Sequence, residues 1–131
     1  MSGVLWKDAS GKAKQTIAPK TWTYVKFEGK DVFTVPTKGV WEWTVVLRVE
    51  YPKDAGNVLR GRLCRFPNTP ELDETGHDDK NTSGWAGSTY HSHWVHTIDC
   101  NPKMPIGFWV WHNGGSPIVL DGRQIKAKLS G

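Results

Sequence analysis

The sequence predicts an all-β protein, an antiparallel sandwich or jelly roll of about eight strands with no substantial helix. The first observation is the run FTVPTKGVWEWTVVLRVEY, Phe33 to Tyr51, where apolar residues recur at every second position, as in a strand with one face on a core. The second is that the 14 Gly and 8 Pro occur mostly singly along the chain, which is typical of a protein with many turns. The third is that no ten-residue segment repeats apolar residues at helical spacing.

The first elements follow from this alternation. TWTYVKF predicts a strand, EGKD a turn and PTKG a second turn that leads into the long strand. VLRGRLCRF predicts the next strand, with Leu59, Gly61 and Leu63 on one face. The long strand is predicted to point one apolar series at the core: Trp41, Trp43, Val45, Leu47, Val49 and Tyr51.

A stretch of eighteen residues, PNTPELDETGHDDKNTSG, has no periodicity and is predicted to be a solvated loop. Its carboxylates include Asp73, Glu74, Asp78 and Asp79. They lack the regular spacing of a calcium loop, and a mobile loop does not hold two carboxylates at a fixed separation for acid–base chemistry.

The remaining strands are predicted at WAGSTYHSHWVHTI, IGFWVWH, IVL and QIKAKLS, with DGR as the turn before the last. IGFWVWH is apolar on both faces, because Phe108 and Val110 alternate with Trp109 and Trp111. A sandwich strand normally has one wet face, so we expect something to cover this one. Trp109 and Trp111 are therefore the candidate assembly interface, together with Trp6.

A chain of 131 residues is long enough for one core. Residues 1–20 are polar and lysine-bearing, with Val4, Leu5 and Trp6 as their apolar knot, and they predict an extended N-terminal arm. Residues 21–131 predict a single jelly-roll domain.

The composition indicates which partners to expect. The formal charge of +4 is spread along the chain without a basic block, so we expect no nucleic-acid partner. The sequence has no run of about 18 apolar residues, so we expect no membrane span. Cys64 and Cys100 lack metal-site or redox spacing and are expected to be free buried thiols.

HSHWVH places His91 and His93 two residues apart, where a strand would put both imidazoles on one face. Two ligands do not make a metal site, and no third ligand follows at a known spacing, so we expect polar strand positions and no metal or cofactor. No GxSxG motif, P-loop or dinucleotide fingerprint is present. The sequence therefore predicts a protein that is not an enzyme.

Trp85 and Tyr90 flank the polar loop, and exposed aromatic rings of this kind stack on sugars. The candidate ligand or receptor surface consists of six residues: Trp85, Tyr90, His91, His93, Asp78 and Asp79.

Two segments, VFTVPTKGVWEWTVVLRVEY and MPIGFWVWHNGGSPIVLDGRQIKAKLSG, carry a family resemblance. They resemble the jelly roll of the complement-q globular head and the tumour-necrosis-factor family, and small proteins with both segments are similar to minor tail and other virion proteins of bacteriophages infecting actinobacteria. The resemblance implies a homotrimer.

The leading hypothesis is a trimeric tail or tail-tip protein located in a virion assembled in host cytoplasm. Its expected partners are copies of itself, other virion proteins contacted through the arm, and a host cell-wall glycan. One alternative is a capsid decoration protein of the same fold, and another is a lectin-like carbohydrate-binding module. An enzyme that uses a metal on His91 and His93 is the remaining class.

Overall fold

The computed structural model describes residues 4–11, 13–27, 32–66 and 77–130. Every element in these ranges is a strand: β1 Val4–Gly11, β2 Gln15–Ile17, β3 Thr23–Tyr24, β4 Gly39–Glu50, β5 Val58–Arg65, β6 His77–Asn81, β7 Thr89–Cys100, β8 Ile106–His112 and β9 Ile118–Leu129. A helix long and apolar enough to cross a membrane is absent from these ranges.

The strands form two antiparallel sheets. In the first sheet, β1 and β2 pair one after the other with β9, and the order continues through β4 to β7. The second sheet has the order β3-β8-β5-β6. Apart from the β5-β6 hairpin, successive strands from β2 onward alternate between the two sheets, which is the connectivity of a jelly roll. The predicted fold class is confirmed.

The core lies between the facing sides of the two sheets, and β4 supplies its largest share. As predicted, the alternating apolar series of β4 and the following Tyr51 points inward, and each member is at most 5% exposed. At about 25 cal/mol per Å² and roughly 200 Å² of surface, burial of each tryptophan contributes on the order of 5 kcal/mol before the entropic cost. The long strand is therefore the main apolar element of the fold.

A glycine in β5 allows the two sheets to meet closely. Gly61 faces inward between Trp94 of β7 and Phe108 of β8. A Cβ there would lie 2.4 Å from Trp94 Nε1 and 2.7 Å from Phe108 Cζ, which is closer than atoms can approach. The absent side chain leaves the space that the two rings fill.

Contacts between β6 and β7 close one side of the sandwich. The Trp94 Nε1–H donates to the backbone carbonyl of Asp78 at 3.1 Å, and Lys80 Nζ lies 5.4 Å from the centre of the Trp94 ring. Lys80 also donates to Asp78 Oδ2 at 2.7 Å, and this bond lowers the pKa of the Asp78 carboxyl. Asp78 thus fastens the second sheet to the first.

A buried histidine joins the sheets elsewhere. His112 is 2% exposed, its Nε2 lies 3.0 Å from the Ile17 carbonyl, and its Nδ1 accepts from the Gly114 N–H at 3.3 Å. This pairing assigns the proton to Nε2. Burial lowers the pKa of His112, so the neutral ring is the form that the fold holds.

The structure differs from the prediction at the N-terminus. Residues 4–11 and 15–17 were expected to lie in an extended arm, but they form β1 and β2 and pair with β9. Ile17 is fully buried in the core. The prediction failed because VLWKDASG and QTI lack a long period-two alternation of apolar residues, and strands at the edge of a sheet need to pair on one side only.

Two further elements differ. His77–Asn81 was predicted to belong to a loop, but it forms β6 at the edge of the second sheet, where a polar strand can pair with only one neighbour. DGR was predicted to be a turn, but β9 runs through it. The register with β4 skips Asp121, which makes a β-bulge. The segments EGKD and 67–76, which includes Asp73 and Glu74, lie outside the described residues.

Both cysteines are buried and neither forms a disulfide, as expected. Burial raises the pKa of the Cys100 thiol, which disfavours the reactive thiolate. Cys64 lies on β5 and Cys100 at the end of β7. Both therefore act as small packing residues.

Candidate functional site: an aromatic and guanidinium face

The outward side of the second sheet carries two parallel rows of residues, and each row combines one or two aromatic rings with an arginine. One row runs across the paired strands through Tyr24, Trp109 and Arg62. The next runs through Trp111, Arg60 and Asp79, and Trp22 lies two residues before Tyr24. We call this set of seven the aromatic face: Trp22, Tyr24, Arg60, Arg62, Asp79, Trp109 and Trp111.

Strand alternation explains why these side chains share one side. In β8 the buried Phe108 and Val110 alternate with half-buried Trp109 and Trp111, and in β5 the buried Leu59 and Leu63 flank arginines that point away from the core. Period two sends one set inward and the other outward.

The tryptophans of β8 are partly covered by neighbours within the chain. The Tyr24 ring lies 5.2 Å from that of Trp109, and the Arg60 guanidinium lies 4.8 Å from the centre of the Trp111 ring. Gly107 makes room for Tyr24, because a Cβ there would lie 2.6 Å from its Cε2. The cover expected for the apolar strand is thus supplied in part by the chain's own side chains.

The arginines are held between rings and one carboxylate. The Arg62 guanidinium lies 5.6 Å from the centre of the Trp22 ring. Asp79 pairs with both arginines, at 3.7 Å from Arg60 Nε and 3.4 Å from Arg62 Nη2. Both distances exceed those of a strong charge-assisted hydrogen bond. The carboxylate therefore neutralises the arginines in part and leaves most of their donors available.

Three donors of the aromatic face have no hydrogen-bond partner in the part of the chain that the structure describes: Arg60 Nε, Arg62 Nη1 and Trp109 Nε1. Each is removed from solvent, and a buried donor without a partner costs about 1–3 kcal/mol. A ligand on the surface reaches these three atoms only if neighbouring side chains move, whereas the Arg60 side chain as a whole is 42% exposed. Rings and an accessible guanidinium on one surface are the features of a binding site for a partly polar ligand.

The predicted ligand surface divides into separate places. Trp85 and Tyr90 do lie together, with stacked rings 4.6 Å apart and 15° from parallel. Tyr51 supports them from the core at 5.7 Å from Trp85, and burial raises its pKa, which keeps its hydroxyl protonated. Tyr90 is 38% exposed, so this pair is a second aromatic surface.

The other four predicted residues lie elsewhere. His91 and His93 are exposed on the outward side of β7 in the first sheet, on one strand face as expected. No group of three His, Cys, Asp or Glu side chains able to hold a metal occurs among the described residues. Asp78 belongs to the contact with Trp94, whereas Asp79 belongs to the aromatic face.

Sequence reasoning missed four members of the aromatic face: Trp22, Tyr24, Arg60 and Arg62. A usable signal was present, since TWTY and LRGRL both alternate and Gly61 between two arginines indicates a close approach on the opposite side. Which strands lie side by side depends on the β3-β8-β5-β6 order, which local pattern does not specify. Trp109 and Trp111 were found, whereas the side chain of Trp6 lies outside the described part of the structure.

No family model and no curated protein matches the sequence. Among solved structures, the chain is similar to a carbohydrate-binding module from Cellvibrio mixtus lichenase 5A in complex with cellotriose, with 13% identity over 93% of this chain and 90% of that one and a TM-score of 0.47. It is also similar to the C-terminal CBM6 of LamC, a marine laminarinase from Zobellia galactanivorans, with 13% identity over 96% and 99% of the two chains and a TM-score of 0.47. At this distance the likeness does not assign the ligands of those proteins to this chain.

Proposed function

We propose that the protein is a non-catalytic carbohydrate-binding module whose saccharide lies across the aromatic face. The observation that carries the proposal is that half-buried indoles share one sheet face with the guanidinium of Arg60, whose side chain is 42% exposed and lies against Trp111. A sugar ring presents apolar C–H groups on its faces and hydroxyl oxygens around its rim. Such a ligand needs both kinds of surface at once.

The arrangement is suited to holding a ligand rather than transforming it. Asp79 is the one carboxylate among the described residues of the aromatic face, and both of its oxygens face arginines. Glycoside hydrolysis ordinarily requires two carboxyl groups on opposite sides of the bond. Binding is thus the activity that these side chains support.

The test is binding to a panel of soluble polysaccharides by isothermal titration calorimetry, using the whole chain and two matched variants. Trp111→Ala removes one ring of the aromatic face and is expected to cost about 1–2 kcal/mol, roughly a five- to thirtyfold loss of affinity. Trp85→Ala removes a ring from the stacked pair and should leave the affinity unchanged.

The opposite result would assign saccharide binding to a different surface. If Trp85→Ala abolishes binding and Trp111→Ala does not, the saccharide lies on the Trp85–Tyr90 pair, which the stacking and the exposure of Tyr90 make the second candidate surface. If the unmodified chain binds no saccharide in the panel, the proposed function is wrong.

The virion role, the trimer and the relation to the complement-q and tumour-necrosis-factor families stay predictions. They were motivated by the resemblance of two segments, by the polar N-terminal residues and by the apolar outward side of β8, and Tyr24 and Arg60 partly cover that last surface within one chain. Light scattering tests the trimer directly. A mass of 14.7 kDa at micromolar concentration would contradict it, and three times that mass would support it.

A further inference from the structure

We propose that the aromatic face selects saccharides that carry a carboxylate, such as polymers of uronic acids. This inference rests on the proposed function, because it names the ligand class of the same site. It begins with the balance of charge. Two guanidinium groups, Arg60 and Arg62, share one described carboxylate, that of Asp79. Among the described residues, this set therefore carries one net positive charge.

Part of this positive charge is accessible to a ligand. The Arg60 side chain is 42% exposed, and Asp79 lies at 3.4 Å or more from either guanidinium. A neutral hydroxyl oxygen would satisfy a single N–H and leave the charge. A carboxylate accepts two parallel N–H bonds from one guanidinium and neutralises it.

The neighbouring rings hold the guanidinium groups in position. Arg60 lies against Trp111 and Arg62 against Trp22, so both planar groups are oriented before a ligand arrives. Since the arginines are two residues apart on β5, their Cα atoms are separated by about 7 Å along the strand. A polymer with repeated carboxylates can therefore contact both arginines while its rings lie on the tryptophans.

The experiment compares polygalacturonate, alginate and hyaluronan with the same polymers after reduction of their carboxyl groups to alcohols. The matched forms differ only in the group that the arginines are proposed to bind. We expect the unreduced forms to bind about tenfold or more tightly. A phosphate-bearing teichoic acid is included, because phosphate shares the pairing chemistry with guanidinium.

Three variants accompany the unmodified chain, with melting temperatures to verify the fold. Arg60→Gln should remove most of the preference for the acidic form, and Arg60→Lys, which keeps the charge without the planar fork, should restore only part of it. Arg48→Gln is the matched control, since this half-exposed arginine pairs with Asp121 on the outward side of the first sheet. It should bind like the unmodified chain.

Each other outcome overturns the inference in a distinct way. Equal binding of acidic and reduced polymers would leave the carbohydrate-binding function standing and refute the selectivity. Binding of teichoic acid alone would replace carboxylate by phosphate. An equal loss in Arg48→Gln and Arg60→Gln would indicate a general effect of net charge. Failure to bind any polymer would refute both the selectivity and the proposed function.

Discussion

Substitution of Gly61 by alanine tests the packing that holds the two sheets together. The added Cβ would lie 2.4 Å from Trp94 Nε1 and 2.7 Å from Phe108 Cζ. Both rings are fully buried, and the Trp94 N–H is bonded to the Asp78 carbonyl at 3.1 Å, so neither ring moves aside freely. Overpacking of a core costs about 1–3 kcal/mol, and the closeness of two rings places Gly61→Ala at the upper end, about 3 kcal/mol.

The assay is urea unfolding followed by tryptophan fluorescence, with the free energy of unfolding extrapolated to water. Gly107→Ala is the matched control in the neighbouring strand. Its Cβ would lie 2.6 Å from Tyr24 Cε2, but that ring is half-buried on the outward side, where fewer atoms oppose a displacement than in the core, so we expect a smaller loss of about 1 kcal/mol.

A double-mutant cycle isolates the contact itself. Trp94→Leu ends the side chain before the positions of the Nε1 and Cε2 atoms that meet the new Cβ, at its own cost of about 3 kcal/mol for the lost bond and volume. The double variant should therefore be more stable than the sum of the two single losses implies, by about 1 kcal/mol or more. Strict additivity, or a loss below about 0.5 kcal/mol for Gly61→Ala alone, would refute the reasoning.

Two further predictions concern the connections that shape the fold. Burial lowers the pKa of His112 from the ordinary 6.5, so the unfolded chain binds a proton there at a higher pH than the folded one, and the stability that this residue contributes is fully present above pH 6.5 and falls as the pH drops toward the folded pKa. His112→Gln should flatten that part of a pH-dependent unfolding series, whereas an unchanged slope would contradict the assignment. Asn113 Oδ1 accepts from the N–H groups of Asn57 and Val58, each at 3.0 Å, so Asn113→Ala should lower the free energy of unfolding by about 1–2 kcal/mol in thermal unfolding. Asn113→Asp keeps the acceptor and should lower it less, and equal losses would refute the acceptor role.

Sequence patterns predicted the fold well where a strand has one apolar face. The alternation from Trp41 to Val49 and the segment Ile106–His112 correspond to β4 and β8 because burial on one side imposes period two. The patterns were misleading where a strand lies at an edge or contains a bulge. HDDKN has no apolar face, and Asp121-Gly122 has the composition of a turn although it is a bulge in β9.

The candidate site was only partly predictable for a different reason. Trp109 and Trp111 were identified from their two-faced strand, but Arg60 and Arg62 were counted as dispersed surface charge. Their role depends on β5 pairing between β8 and β6, which brings tryptophans to one side and Asp79 to the other. Contacts of this kind arise from the order of strands in a sheet, and no local motif encodes that order.

The central claim is that a saccharide binds on the aromatic face, and titration of ¹⁵N-labelled protein with a uronic-acid oligosaccharide tests it most directly. Side-chain N–H signals report the residues of the aromatic face individually. The account predicts that the Nε1–H signal of Trp109 and the Nε–H signal of Arg60 shift together with those of Trp22 and Trp111, while the Nε1–H signal of Trp85 stays in place. Shifts confined to Trp85 and Tyr90, or no shifts at saturating oligosaccharide, would contradict it.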